Sequence, residues 1–117
     1  MSVHDDDMSL RHMLDHAREA VTLLQGRSRS NLGTDRMLSL ALVQLAQIIG
    51  EAAHRVSVRR RKRHPEIPWS QIIALRNRLI HGYDTINFDI LWQILTVDLP
   101  SLIAMLEKIV PSDETDA

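Results

Sequence analysis

The stretch from residue 35 to residue 56 constrains the fold more than any other part of the chain. Its apolar residues recur at helical spacing, but they cover most of the helix circumference and not a single stripe. A helix with so little polar surface must be covered on most sides, so we expect it to be central or shared with a second subunit. The apolar positions are Met37, Leu38, Leu40, Leu42, Val43, Leu45, Ile48 and Ile49, and the polar strip is Arg36, Gln44, Gln47, Glu51 and Arg55.

The rest of the chain also has helical periodicity, and strand-like alternation is absent. The sequence therefore predicts an all-α fold, an antiparallel helical bundle of four main helices with room for a short fifth element. The predicted helices cover residues 9–25, 35–56, 68–81 and 85–110, and the predicted loops cover residues 26–34 and 58–67. The short fifth element is expected in the second of these loops.

Local signals set the predicted helix ends. Thr34 is the expected N-cap of the second helix, and Thr85 or Asn87 that of the fourth. Gly82 is expected to stop the third helix just past its last turn. Pro100 lacks a backbone N–H, so it should kink the fourth helix near residue 96.

Composition limits the remaining possibilities. The 117 residues are predicted to form one domain (1–117), with residues 1–7 and 111–117 as flexible acidic tails. There is no cysteine, which excludes a disulfide framework and a thiolate metal site. No apolar run approaches the roughly 20 residues that span a bilayer, and no signal peptide opens the chain. We therefore expect a soluble, cytoplasmic protein without a membrane partner.

The third predicted helix carries the most informative residues. On a regular helix Arg76 falls in the middle of an apolar arc, where an unpaired guanidinium would cost several kcal/mol, about 3–5. It must therefore pair with a buried carboxylate, for which Glu51 is the candidate, or line a cleft that receives an anion; the two are not exclusive. His81 follows in the expected last turn. It could transfer a proton during phosphodiester cleavage, or simply interact with the terminal carbonyl groups of the helix.

The pattern Arg76-x4-His81-x-Tyr83 resembles the motif of the HepT toxins, which belong to the HEPN superfamily of small helical ribonucleases. The resemblance extends to further short segments along most of the chain, which are Ile49-Gly50-Glu51-Ala52, Ile67-Pro68-Trp69, Leu91-Trp92 and Leu99-Pro100. It implies a homodimer that cleaves RNA without a metal ion or other cofactor, with transfer RNA as the expected substrate.

The resemblance also implies roles for single residues. Arg76 and His81 would be the catalytic pair, and Asn77 would support them by positioning the ribose or the phosphate, unless it is an ordinary polar helix residue. The partner would be a minimal nucleotidyltransferase of the MntA type, which transfers AMP to Tyr83 and thereby silences the toxin. Tyr83 would otherwise be interpreted as a turn residue with its hydroxyl in water.

A geometric objection accompanies this assignment. Arg76 and His81 are about 140° apart around a regular helix, so they do not share a face. They can converge if the helix unwinds near Gly82, or if a second subunit contributes across a twofold axis. A dimer would also supply two imidazoles, one as a base and one as an acid.

The remaining charged residues give weaker signals. The run Arg59, Arg60, Arg61, Lys62 and Arg63 could attract RNA through its phosphates, or could be a solvated loop. Arg78 is expected on the solvated side of the motif helix. Only four aromatic residues, Trp69, Tyr83, Phe88 and Trp92, are present, which argues against readout by stacked bases.

Two other functions are compatible with the sequence. Glu51 and His54 have the Glu-x-x-His spacing of di-iron bundles, and His12, Asp15 and His16 lie on one helical side. A second Glu-x-x-His and two further inward carboxylates are missing, so we expect no metal site. The main alternative is a HEPN-like module that binds or serves a nucleotidyltransferase without cleaving RNA.

Overall fold

The fold is the all-α helical bundle that the sequence predicts. The computed structural model of the chain describes residues 3–83 and 85–111. Its elements, in order, are α1 (Val3–Leu24), α2 (Arg29–Thr34), α3 (Arg36–Arg55), α4 (Val58–Lys62), α5 (Trp69–Ile73), α6 (Leu75–Leu79), β1 (Ile80–His81), β2 (Thr85–Ile86), α7 (Phe88–Gln93), a π-helical turn (Ile94–Asp98) and α8 (Leu99–Glu107). Residues 112–117, most of the predicted C-terminal tail, lie outside the described part.

Helix α3 is central, as its apolar surface predicts. It packs against α1, α2, α5 and α6, and α1 also packs against α8. Leu42 and Ile49 of α3 are fully buried in one continuous core, together with Met13 of α1 and Leu102 of α8. The apolar surface of α3 is not completely covered, however. Met37 and Leu40, near its start, are 83% and 47% exposed.

The first helix is longer than predicted, because α1 already begins at Val3. The expectation that residues 1–7 form a frayed lead-in is therefore wrong from residue 3 onward. Asp6 is buried, and its carboxylate accepts hydrogen bonds from the N–H and the hydroxyl of Ser57, at 2.9 and 2.7 Å. Burial raises the pKa of Asp6, but these two bonds and the charge of Arg60 outweigh it and lower the pKa overall. A tertiary contact thus fixes a segment that its local sequence leaves undefined.

The predicted loop at residues 26–34 contains the short helix α2. The N–H of Ser28 donates to the side-chain oxygen of Asn31 at 2.8 Å, and Leu32 is fully buried. The cap of α3 is Asp35 and not Thr34, since the Asp35 carboxylate accepts the N–H of Leu38 at 3.0 Å. The expected short element in the basic segment is α4, capped by the Ser57 hydroxyl.

The predicted fourth helix is interrupted where Pro100 was expected to act. Between α7 and α8, residues Ile94–Asp98 widen into a π-helical turn, in which the N–H of Leu99 donates to the carbonyl of Ile94 five residues earlier. Pro100 cannot donate a backbone N–H in this region. Of the two proposed caps, Asn87 is the one used: its side chain accepts the N–H of Ile90 at 3.0 Å.

The predicted third helix is not one helix. It starts at Trp69, because the expected first residue, Pro68, is its N-cap, and it breaks at Ala74 (φ −91°, ψ 10°) into α5 and α6 and ends at Leu79. The next residues form a small antiparallel strand pair, in which Ile80 pairs with Ile86 and His81 with Thr85. Strands of two residues are too short to show alternation in the sequence, so the expectation of no strand was wrong here.

Two helical stretches, Arg36–Arg55 and Phe88–Glu107, are long and apolar enough to cross a membrane by length and composition alone. From the sequence alone, no such stretch is expected. About 50% of the first and 33% of the second are buried inside the domain. Core helices of helical bundles have the same length and apolar composition.

Candidate active site

A cleft of about 490 Å³ lies between α3 and the α5–α6 pair. Gly50 lets the two sides approach closely, because a Cβ at this position would lie only 3.0 Å from the carbonyl oxygen of Ile73. The end of α5 therefore rests directly on α3, and α6 continues along the cleft. The lining residues are Ala46, Gln47, Gly50, Glu51, His54 and Arg55 from α3, and Ile73, Arg76 and Asn77 from the other side.

Arg76 projects into this cleft and is exposed, so its predicted burial in an apolar arc is wrong. The arc was drawn on one regular helix from Pro68, and the break at Ala74 invalidates that construction. Within residues 3–83 and 85–111, the guanidinium has no hydrogen-bond or ion-pair partner. Glu51 is not its partner, and instead accepts a hydrogen bond from Gln47 at 2.9 Å. The other possibility considered above, a cleft that can receive an anion, therefore matches the geometry.

His81 does not lie in the last turn of a helix. It is exposed in strand β1, two residues after α6 ends, and it is not among the residues that line the Arg76 cleft. The interpretation of His81 as a cap of a regular helix is therefore wrong. The 140° separation no longer applies either, because the helix unwinds before His81. Asn77 does share the cleft with Arg76 and is exposed.

Tyr83 lies at the turn that follows β1 and is 97% exposed. Gly82 before it has a φ of +69°, a conformation that glycine adopts at little cost. The phenol hydroxyl is therefore open to any large partner. This matches the turn interpretation of Tyr83, and it is also the accessibility that a modified residue requires.

The basic segment is less uniform than the sequence suggests. Arg59, Lys62 and Arg63 are exposed, but Arg60 and Arg61 are engaged within the domain. Arg60 forms an ion pair with Asp7 at 2.8 Å. Arg61 donates to the carbonyl groups of Val56 and His54, at 2.9 and 3.1 Å. Arg60 and Arg61 therefore help to hold α4 in place, and the cations of the run with exposed side chains are Arg59, Lys62 and Arg63. The attraction of RNA by this run stays a prediction.

Two further residues differ from expectation. Arg78 is not solvated: it forms a partly buried ion pair with Asp98 of the π-helical turn at 3.0 Å, which ties α6 to the last helix. His54 was considered only as a metal ligand, but it lines the same cleft as Arg76. Its proximity to Arg76 comes from the packing of α3 on α6, for which the sequence contains no spacing signal.

The structure contains no cluster of metal-binding side chains in the part of the chain that it describes. Glu51 and His54 line one cleft, but no third histidine or carboxylate joins them among residues 3–83 and 85–111. On α1, His16 Nδ1 lies 2.8 Å from the carbonyl oxygen of His12, within the same helix.

Comparisons with known proteins agree with the family that the sequence resembles. The family model described as ribonuclease HepT-like matches residues 13–109. A "Probable ribonuclease HepT" of Thermococcus cleftensis is 30% identical over 105 residues, which cover 86% of this chain and 96% of that protein. A "Putative RNase" of Caldanaerobacter subterraneus subsp. tengcongensis is 29% identical over 105 residues, which cover 90% and 94%. No solved structure gives a significant match. The chain belongs to the HepT-like ribonuclease family, within the HEPN group, and this membership supports ribonuclease activity.

Proposed function

We propose that the chain is a metal-independent endoribonuclease toxin that acts on RNA in the cytoplasm, with transfer RNA as its expected substrate. The observation that carries the proposal is the Arg76 guanidinium, which is exposed in a cleft without an internal partner among the described residues. A free guanidinium binds phosphate through a planar pair of N–H donors, and its charge is permanent. Membership of a ribonuclease family makes an RNA phosphate the natural ligand.

In this mechanism Arg76 binds the scissile phosphate and offsets the negative charge that develops on it in the transition state. The ribose 2′-oxygen attacks phosphorus, and its proton passes to a base. The bond from phosphorus to the 5′-oxygen breaks, and an acid protonates that oxygen. His81 supplies an imidazole for one of these transfers, and Asn77 helps to orient the phosphate or the ribose. No step requires a metal ion.

The first test is cleavage of labelled RNA by the purified protein in the presence of EDTA. We expect cleavage, with products that end in a 2′,3′-cyclic phosphate. The alternative, a HEPN-like module that binds a nucleotidyltransferase without cutting, predicts intact RNA together with a stable complex. Cleavage that disappears in EDTA and returns with a divalent cation would contradict the metal-independent mechanism.

We further propose that the working unit is a homodimer, in which two copies of the motif face one cleft. Met37 and Leu40 support this, because they leave exposed apolar surface on the central helix. His81 supports it as well, since it does not line the cleft of its own chain. Light scattering at micromolar concentration should give twice the monomer mass. The double variant Met37→Glu, Leu40→Glu should give a folded monomer with little activity, and a monomeric wild type that still cleaves RNA would contradict the proposal.

Regulation is proposed to act on Tyr83 through an MntA-type nucleotidyltransferase. The phenol is 97% exposed, so the tyrosine oxygen could attack the α-phosphorus of ATP and release pyrophosphate without local unfolding. The added phosphate, two residues after His81, would compete with RNA for Arg76. With the partner, ATP and magnesium, intact-mass measurement should show one or more added AMP units. Tyr83→Phe should stay toxic in a growth assay, and neutralisation of that variant as readily as wild type would mean inhibition by binding alone.

A further inference from the structure

Within one chain, the imidazole that shares the cleft with Arg76 is that of His54. His54 lies on the α3 side of the cleft, and Arg76 and Asn77 lie on the α6 side. The volume of about 490 Å³ is within the range of sites that hold small ligands. A phosphate held by Arg76 would therefore have the His54 side chain in the same space, whereas His81 lies outside this set of lining residues.

The His54 imidazole is available for chemistry. The side chain is exposed, and within residues 3–83 and 85–111 it has no hydrogen-bond or ion-pair partner. The backbone of the same residue is fixed, because Arg61 of α4 donates to the His54 carbonyl at 3.1 Å. The charged groups around the imidazole are Glu51 and Arg55 on its own helix, Arg76 across the cleft and Arg61.

Cleavage by 2′-hydroxyl attack moves two protons, one away from the 2′-oxygen and one onto the departing 5′-oxygen. Two separate groups are needed if both transfers accompany the same displacement. Histidine is the side chain that changes charge most readily between about pH 5 and pH 8, so it suits either transfer near neutrality. Each copy of the Arg-x4-His motif contributes one imidazole, and the cleft of each chain contains another, that of His54.

We propose that His54 is a catalytic residue of the RNA cleavage described above, which transfers one of the two protons beside the phosphate held by Arg76, while His81 transfers the other. This inference rests on the proposed ribonuclease function and adds to it a residue outside the motif. A purely structural alternative exists. A histidine in the last turn of α3 can interact favourably with the negative end of the helix, which affects stability and not chemistry.

The test compares His54→Ala with His12→Ala, which removes an exposed histidine of α1 outside the cleft. Rates of RNA cleavage in EDTA are measured between pH 5 and pH 9. For His54→Ala we expect kcat to fall by about 10²–10⁴-fold, the usual contribution of an acid or a base, with KM changed by less than about threefold. One limb of the pH profile should disappear, and added imidazole should restore part of the rate. His12→Ala should match wild type in all three readouts.

Each other outcome decides against the assignment. If His54→Ala keeps its kcat and both limbs, His54 is not catalytic, and the roles of Arg76 and His81 are unaffected. If kcat falls but both limbs remain and imidazole restores nothing, the residue acts through structure. If wild type cleaves no RNA, the proposed function fails and this inference fails with it. His54→Gln, which retains a polar side chain of similar size, provides the same comparison should the alanine variant unfold.

Discussion

Helix α3 and the segment that follows it, residues 56–86, are held in place by different means. Helix α3 is one uninterrupted helix, Arg36–Arg55, within one residue at each end of the predicted range 35–56. The following segment is less apolar and includes the basic run Arg59–Arg63, and it folds into three short helices and a strand pair. No helix in it exceeds 5 residues, too short to be stable from local interactions alone.

Each piece of that segment is anchored by a contact beyond its own helix. Asp6 of α1 binds Ser57 at the start of α4. The indole N–H of Trp69 at the start of α5 donates to the carbonyl of His64 at 3.0 Å. Asp98 of the π-helical turn pairs with Arg78 of α6. The carbonyl of Leu79, at the end of α6, accepts the N–H of Asn87 at 2.8 Å. The motif residues Arg76 and His81 therefore lie on backbone that tertiary contacts shape, whereas His54 lies on α3.

The first prediction concerns the two motif side chains, whose removal should have the largest effect. Arg76→Ala should reduce kcat by about 10²–10³-fold, the usual loss for one group that stabilises transition-state charge. His81→Ala should reduce it by about 10²–10⁴-fold, as for loss of an acid or a base. Both side chains are exposed, so the free energy of unfolding should change by less than about 0.5 kcal/mol. RNA cleavage rates and thermal unfolding measure the two quantities.

A core residue of α3 provides the opposite control. Leu42→Ala removes a fully buried side chain and should lower the free energy of unfolding by about 2–5 kcal/mol. If Arg76→Ala or His81→Ala were as destabilising as Leu42→Ala, the separation of chemistry and stability between the two regions would be wrong. Near wild-type cleavage by either motif variant would remove that residue from the mechanism.

The same contrast explains what the sequence could predict. The bundle and α3 were predictable because helical periodicity is a local signal, readable over residues 35–56, although the N-cap is Asp35 and not the expected Thr34. The break at Ala74 was not, because no residue from Ile73 to Leu75 disfavours a helix. At the break, the carbonyl oxygens of Ile72 and Ile73 lie against Gly50 of α3, a tertiary contact that local sequence does not encode.

The motif residues could be selected from the sequence, but their geometry could not be predicted from it. Arg76, His81 and Tyr83 were selected from the motif, and they remain the proposed residues. The predicted burial of Arg76 failed because it assumed one regular helix across Ala74. The presence of His54 beside Arg76 could not be predicted, since it depends on how α3 and α6 pack and not on spacing along either helix.

The second prediction breaks the contact that joins the two regions. Gly50→Ala places a Cβ 3.0 Å from the carbonyl oxygen of Ile73, and a backbone carbonyl cannot rotate away. We expect the free energy of unfolding to fall by about 1–3 kcal/mol, the usual cost of overpacking, even though alanine favours the helix itself. The rate of RNA cleavage should fall as well, because Arg76 lies just after α5, the helix that the added Cβ would displace.

Gly33→Ala is the matched control for this substitution. Gly33 lies in α2, and no atom lies within 4 Å of a Cβ added there. The change should leave stability unaltered or raise it by up to about 1 kcal/mol. If chemical denaturation gave Gly50→Ala the same stability as Gly33→Ala, the close approach at Gly50 would not be what holds α5 against α3.

The third prediction has the smallest effect and tests the first anchor of the segment. Asp6→Asn keeps the shape of the side chain but removes the charge that accepts two hydrogen bonds from Ser57. We expect a loss of about 1 kcal/mol at pH 7, since bonds to a charged acceptor are stronger than bonds to a neutral one. The pKa of Asp6 is lowered in the folded protein, despite burial, by the bonds from Ser57 and the charge of Arg60. The stabilisation is therefore complete above the unfolded pKa of about 4 and is lost as the pH falls through the folded value.

The difference in stability between wild type and Asp6→Asn should accordingly be full at pH 7 and shrink below about pH 4. Asp7→Asn is the control, because the Asp7 side chain is 63% exposed and its pair with Arg60 should contribute less than about 1 kcal/mol. Amide hydrogen exchange locates the effect: Asp6→Asn should speed exchange in α4 and leave the centre of α3 protected, because α3 does not depend on this anchor. A uniform increase across both helices would mean that α3 and the following segment unfold as one unit. The two regions would then differ only in how well their structure can be predicted from sequence.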